Sequence, residues 1–169
     1  MTGLVAQGTI PGFTPLPSSI DDNLVAIIPS NNKVMATNVN YLIKFNTKSK
    51  VPTNGIIYIT FPNDIQVNSL VNLNCQASVG LGSSVQTQCY GTADNSGTTF
   101  TLSSLFKTDV AANTSISITI YNIFTNSVST QFVNYFTIKT ADSSGYYIDT
   151  GSGYSPTINP GDLIFVSPI

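Results

Sequence analysis

An all-β antiparallel sandwich in one domain is the fold class that this sequence predicts, and three observations carry it. Ser115 to Tyr121 alternates Ile116, Ile118 and Ile120 with Ser117, Thr119 and Tyr121, which is the period of a strand with one buried face. Looser alternations recur along the chain with turn-forming clusters between them, giving roughly eight or nine strands and no amphipathic helix. A length of 169 residues suits a single core. That core is assigned to residues 20–169, behind a Pro- and Gly-rich linker or extended arm at residues 1–19.

The arm contains Gly3, Gly8, Gly12, Pro11, Pro15 and Pro17, a density of breakers that opposes a long regular element. Its apolar residues Leu4, Val5, Ile10 and Phe13 are able to lie along a sheet edge. Leu24 to Ile28, closed by Pro29-Ser30-Asn31-Asn32, is expected to be the first strand. Asn40 to Asn46 turns Tyr41, Ile43 and Phe45 to one face, and Ile56 to Phe61 does the same with Ile57, Ile59 and Phe61. These two are expected to be neighbours, because Pro52-Thr53-Asn54-Gly55 between them suits a chain reversal.

From Gln66 to Gly97 the apolar residues are dispersed, and only short strands and loops are expected. Thr98 to Leu105 points Phe100 and Leu102 inward, and Asp109 to Asn113 turns into the Ser115 strand. Tyr135 to Thr140 and Tyr146 to Thr150 flank Asp142-Ser143-Ser144-Gly145, the arrangement of a hairpin. The Gly and Ser cluster at residues 151–155 is expected to be loop, followed by a turn at Asn159-Pro160-Gly161-Asp162 and a last strand at Leu163 to Val166.

Composition limits function. The chain has no His, Arg, Glu or Trp, and its charges are six Lys and eight Asp. Nucleophile systems that need an imidazole are excluded by inventory, as are many zinc sites. The Lys residues are scattered and the net charge is −2, so no nucleic-acid partner is expected. No segment has the length and apolarity for direct membrane insertion, and Met1 to Gln7 lacks the pattern of a secretory signal. A surface built from Ser, Thr and Asn points to a module excised from a secreted precursor, with an extracellular or cell-surface location. No cofactor is expected.

Several residues are candidates for sites. Cys75 and Cys89 bracket a polar segment read as a loop; a disulfide is the economical assignment, with two unpaired core thiols as the alternative. Asn113-Thr114-Ser115 is the one glycan-acceptor sequence, and places Asn113 at a turn. Asp21, Asp22, Asp142, Asp149 and Asp162 lie at expected loops or strand ends. Convergence on calcium is one use for them and capping of backbone NH groups is the other, while their spacing matches no calcium loop. A pair of the same carboxylates is also conceivable as the acid and base of a glycoside hydrolase, without a marked cleft for a protonated acid. Tyr and Phe are numerous enough for a sugar-stacking platform, although most fall at inward positions, where they serve as core.

Asn38-Val39-Asn40-Tyr41-Leu42-Ile43-Lys44-Phe45 and Val51-Pro52-Thr53-Asn54-Gly55-Ile56-Ile57-Tyr58-Ile59-Thr60-Phe61-Pro62 together resemble the immunoglobulin-like modules repeated in very large cell-surface proteins of ciliated protists. Cys75 with Cys89, Asn122-Ile123-Phe124-Thr125-Asn126, and Phe136-Thr137-Ile138-Lys139-Thr140 before Asp142 follow in the same order. The resemblance spans roughly residues 20–166, in loose patterns. It implies an immunoglobulin-like sandwich with a Cys75–Cys89 disulfide and no catalytic residue. It further implies a structural or adhesive role whose partners are neighbouring copies or other modules of the same surface protein. A carbohydrate-binding module with glycans as partners is the alternative.

Overall fold

The computed structural model describes residues 16–70, 73–127, 135–153 and 156–161. Among these the elements are β1 (Ser18–Ser19), a 3-10 turn (Asp22–Leu24), β2 (Ala26–Pro29), β3 (Val39–Asn46), β4 (Ile56–Pro62), β5 (Gln66–Val67) and β6 (Cys75–Val79). They continue with β7 (Val85–Asp94), β8 (Gly97–Ser103), β9 (Ser115–Thr125), β10 (Phe136–Ala141) and β11 (Tyr147–Gly153). The fold is a β-sandwich. One sheet, here sheet A, runs β1-β11-β10-β4-β8-β7; the other, sheet B, runs β7-β6-β9-β3-β2, with β5 on the end of β9. Among the described strands, all pairs are antiparallel except β1 with β11.

The strand belongs to both sheets in one case only among the described residues. Residues 85–87 of β7 pair with β6, and residues 88–94 pair with β8. The chain thus turns a corner of the sandwich without leaving extended conformation.

The inner faces follow the alternation. Tyr41, Ile43 and Phe45 of β3 and Ile116, Ile118 and Ile120 of β9 face Ile57, Ile59 and Phe61 of β4 and Phe100 and Leu102 of β8, all essentially inaccessible to solvent. Phe61 is the hub of an aromatic cluster, stacked on Phe124 at 4.5 Å between ring centroids and edge-on to Phe136 at 4.9 Å and to Tyr41 and Phe100 at 5.3 Å. Tyr41 places its apolar body in this cluster and donates its hydroxyl to Asn126 Oδ1 at 2.7 Å. Asn126 Nδ2 in turn donates to the carbonyls of Asn31 and Lys33, so one buried polar chain ties the loop after β2 to the core. Burial pushes the Tyr41 phenol far above its ordinary range, so it stays a donor.

Five expectations are corrected. The described strands number eleven rather than eight or nine, because β1 and β5 are two-residue pairings that only tertiary register reveals, and the Gln66–Gly97 segment contains the ten-residue β7. β3 and β4 are not neighbours but face each other across the core, in different sheets. The Pro52–Gly55 turn forms, with Asn54 at φ 61°, as part of an arch between sheets. The first strand begins at Ala26, since Asp21 accepts from the Asn23 amide and starts a 3-10 turn that leaves Leu24 exposed.

The Gly cluster after residue 150 is strand as far as Gly153 rather than loop. A Cβ on Gly151 would lie 2.7 Å from Ile20 Cβ, and one on Gly153 2.8 Å from Val25, so glycine here permits the crossing segment 20–27 to pack on the sheet. Finally, every described Phe is buried, but the described Tyr other than Tyr41 are partly or largely exposed, so the inward assignment of aromatics holds for Phe and Tyr41 only among the described residues. Residues 1–15 of the arm and the expected strand at 163–166 lie outside the described residues. Ser18 and Ser19, the arm's end, pair with β11 of their own sheet.

The arch between β3 and β4 is stapled at Asp109. Lys50 Nζ sits 2.6 Å from Asp109 Oδ2, and the Thr53 amide and hydroxyl donate to Oδ1. The Lys50 hydrogen bond, followed by those from Thr53, lowers the Asp109 carboxyl from its ordinary 3.8 to about 2. A carboxyl depressed on folding stabilises the fold at pH above its unfolded value, and that contribution disappears as the pH falls through about 2. The site is solvated, so the effect is small. Chemical denaturation of the wild type and Asp109→Asn is expected to show a difference above 3.8 that closes at about 2.

Candidate functional site

The sequence-nominated residues do not converge. Asp21 caps the 3-10 turn, and Asp22 Oδ1 accepts from the Ser152 amide at 2.9 Å, tying that turn to β11. Asp142 accepts from the Ser144 and Tyr146 amides in the β10–β11 turn, as expected of a turn carboxylate. Asp149 is fully buried: Oδ2 accepts from the Lys48 and Ser49 amides at 3.1 and 3.2 Å, and Oδ1 is buried without a hydrogen-bond partner. Asp162 lies outside the described residues. No three Asp or Cys among the described residues group as metal ligands, so the calcium expectation finds no centre there. Asn113 is exposed in the turn before β9, at φ 60°, with its amide donating to the Thr47 carbonyl.

Cys75 and Cys89 form a disulfide with Cα atoms 6.2 Å apart. The segment they bracket is not a loop throughout: it is the β6–β7 hairpin, in which Cys75 pairs with Thr87. The bond therefore joins β6 in sheet B to β7 just where β7 has passed into sheet A. Cys89 follows Cys75 by 14 positions, and reduction is expected to lower stability by about 3 kcal/mol. The core strands do not depend on the bond, so circular dichroism is expected to report a folded sandwich with a lower urea midpoint after reduction.

The strongest site geometry is on the outer face of sheet A. Inward residues of β4, β8 and β10 alternate with outward ones, and the registers align the outward set into rows across five strands. One row is Tyr90, Thr101, Tyr58, Lys139 and Thr150. The next, two residues along each strand, is Thr92, Thr99, Thr60, Thr137 and Ser152. At a strand spacing of about 4.8 Å each row is roughly 19 Å long. Thr60 and Thr99 share a hydrogen bond between hydroxyls at 2.8 Å, so part of the second row is already ordered.

Tyr147 joins this face through an irregularity. The register shifts between Thr140, opposite Asp149, and Ala141, opposite Tyr147, leaving Ile148 as the extra residue. Such a bulge re-aims the side chains beyond it. Tyr147 meets Tyr58 edge-on, with ring centroids 5.8 Å apart, and Lys139 Nζ lies 4.4 Å above the Tyr147 ring. Partial burial raises the Tyr58 phenol, as do the neighbouring phenols of Tyr147 and Tyr90 and the Asp142 carboxylate. Tyr90 and Tyr147 remain about half exposed, at 52% and 49%. Strand parity alone marks Tyr58 as outward; the row itself depends on pairing between segments far apart in sequence.

No protein-family model matches the chain, and no curated protein sequence does. The chain is similar to several solved structures at low identity. The family 3a carbohydrate-binding module from the cipA scaffolding of Clostridium thermocellum is 14% identical, with 73% of this chain and 97% of that one covered, at a TM-score of 0.44. A non-cellulosomal cohesin from Archaeoglobus fulgidus is 11% identical over 78% of this chain and 91% of that one, with a TM-score of 0.37. The collagen-binding domain of a Staphylococcus aureus adhesin is 14% identical over 78% of this chain and 97% of that one, with a TM-score of 0.32.

Proposed function

We propose that this chain is a non-catalytic structural or adhesive module of an extracellular or cell-surface protein, and that the outer face of sheet A is its contact surface. The observation that carries this is the pair of outward rows: a five-strand face of Tyr, Lys and hydroxyl side chains directed away from the core, in which Thr101 alone is buried, at 7% exposure. The carboxylates of Asp21, Asp22, Asp142 and Asp149 accept hydrogen bonds that hold turns and arches. With no imidazole in the chain, this supports binding over turnover. Membership in a tandem array of similar modules fits the same reading, with neighbouring copies as further partners.

Bead adhesion under flow tests it. Beads carrying the chain are expected to be retained on at least one of three coatings, namely collagen, a neutral polysaccharide or the chain itself. The variant carrying Tyr58→Ala and Tyr90→Ala is expected to lose that retention. Equal retention of wild type and variant, or none on any coating, overturns the reading.

A further inference from the structure

Resting on that reading of the outer face, we propose that its ligand is a neutral, extended polysaccharide, laid across the strands along the tyrosine row. A pyranose ring offers an apolar face of C–H groups and a rim of hydroxyls. Tyrosine rings match the first by dispersion, and Thr and Ser hydroxyls, each both donor and acceptor, match the second. The protein presents these two chemistries side by side. Tyr58 and Tyr90 lie in one row with β8 between their strands, roughly 10 Å apart at the usual strand spacing. That is about the repeat of two sugars in an extended chain, so alternate rings meet a tyrosine while the flanking hydroxyl row follows the rim.

Charge selects the class of glycan. Lys139 is the only cation in the two rows, and it is already held over the Tyr147 ring. The carboxylates at the margins are engaged in turns, Asp94 by the Ser96 amide and Asp142 by those of Ser144 and Tyr146. A polyanion would find one committed cation and no basic cluster, whereas an uncharged polyol needs no counter-charge there. Tyr90 also borders an open groove of about 510 Å³ that runs along β7, lined by Leu73, Gln86, Thr87, Gln88 and Cys89. The perpendicular Tyr58–Tyr147 pair, fixed further by Lys139, sets its ring orientations before any ligand arrives.

Affinity electrophoresis of the full chain in native gels containing hydroxyethylcellulose, barley β-glucan, galactomannan or heparin tests the inference. Retardation is expected in at least one neutral polysaccharide and not in heparin. Tyr90→Ala, at an exposed position that leaves the core intact, is expected to weaken binding by about tenfold. The paired Thr60→Val and Thr137→Val changes, which keep side-chain volume and strand propensity, are expected to weaken it as well. Leu81→Ser in the β6–β7 turn serves as the control off this face and is expected to migrate as wild type. Migration unchanged in all three neutral gels overturns the inference, as does retardation that is strongest in heparin or indifferent to Tyr90→Ala. Retention of the beads on collagen or on the chain itself, without retardation in any neutral gel, removes the glycan and leaves the adhesive reading standing.

Discussion

Phe61→Ala is expected to lower the free energy of unfolding by about 4 kcal/mol, among the largest single losses that this core offers. Phe61 touches Tyr41, Phe100, Phe124 and Phe136, which come from four other strands and from both sheets. Removing its ring leaves a cavity walled by aromatic rings that cannot collapse without moving two sheets together, and the residual void adds to the lost transfer energy. For a domain of this size the melting temperature should fall by about 10 °C. Urea denaturation followed by circular dichroism measures it, with Tyr90→Ala as comparison, since an exposed outward side chain should change stability by about 0.5 kcal/mol or less. A loss near 1 kcal/mol for Phe61→Ala would mean that the two sheets close around the gap, contrary to a rigid sandwich.

Asp149 gives the second large effect, and the two substitutions there separate its causes. Asp149→Ala removes the acceptor for the Lys48 and Ser49 amides and is expected to cost about 3 kcal/mol, because both donors are left partly buried without a partner. Asp149→Asn keeps one carbonyl oxygen for those donors and removes a charge whose other oxygen, Oδ1, is buried without a hydrogen bond. It is expected to cost about 1 kcal/mol or less. Ser49 also donates its hydroxyl to Ser18 at 2.9 Å, so the alanine variant should loosen β1 as well as the arch. Amide exchange at Lys48, Ser49 and Ile20 measures this locally, while the urea midpoint measures it globally. Equal losses for the two variants would assign the role of Asp149 to its charge instead of its acceptor geometry.

The inner half of the molecule was readable from the sequence because burying one face imposes a period of two. Ile57, Ile59 and Phe61, or Ile116, Ile118 and Ile120, are visible as strands before any partner is known. β7 was not, since it is solvated along much of both faces and carries no alternation. The outer face was not readable either, for a different reason. Thr60, Thr99 and Thr137 become one row only through the registers of β4 with β8 and of β4 with β10, and pairing between distant strands leaves no local mark. Tyr147 reaches that face through a bulge that a strict alternation does not foresee. The disulfide, by contrast, is legible from two cysteines that bracket a polar segment, while the hairpin and sheet change between them leave no local mark.

The attachment of the 3-10 turn to β11 also sets a schedule for biosynthesis. Asp22 leaves the ribosome 130 residues ahead of its partner Ser152, an interval of roughly ten seconds at ordinary elongation rates. Throughout that time Ile20 and Ile27, which the finished protein covers with Gly151 and Gly153, have no sheet to lie on. The Cys75–Cys89 bond can close as soon as Cys89 is in an oxidising compartment, well before β10 and β11 exist. In such a compartment the nascent chain acquires its covalent corner first and its apolar edge cover last, and the interval between them is when it is most exposed to pairing with another copy of itself.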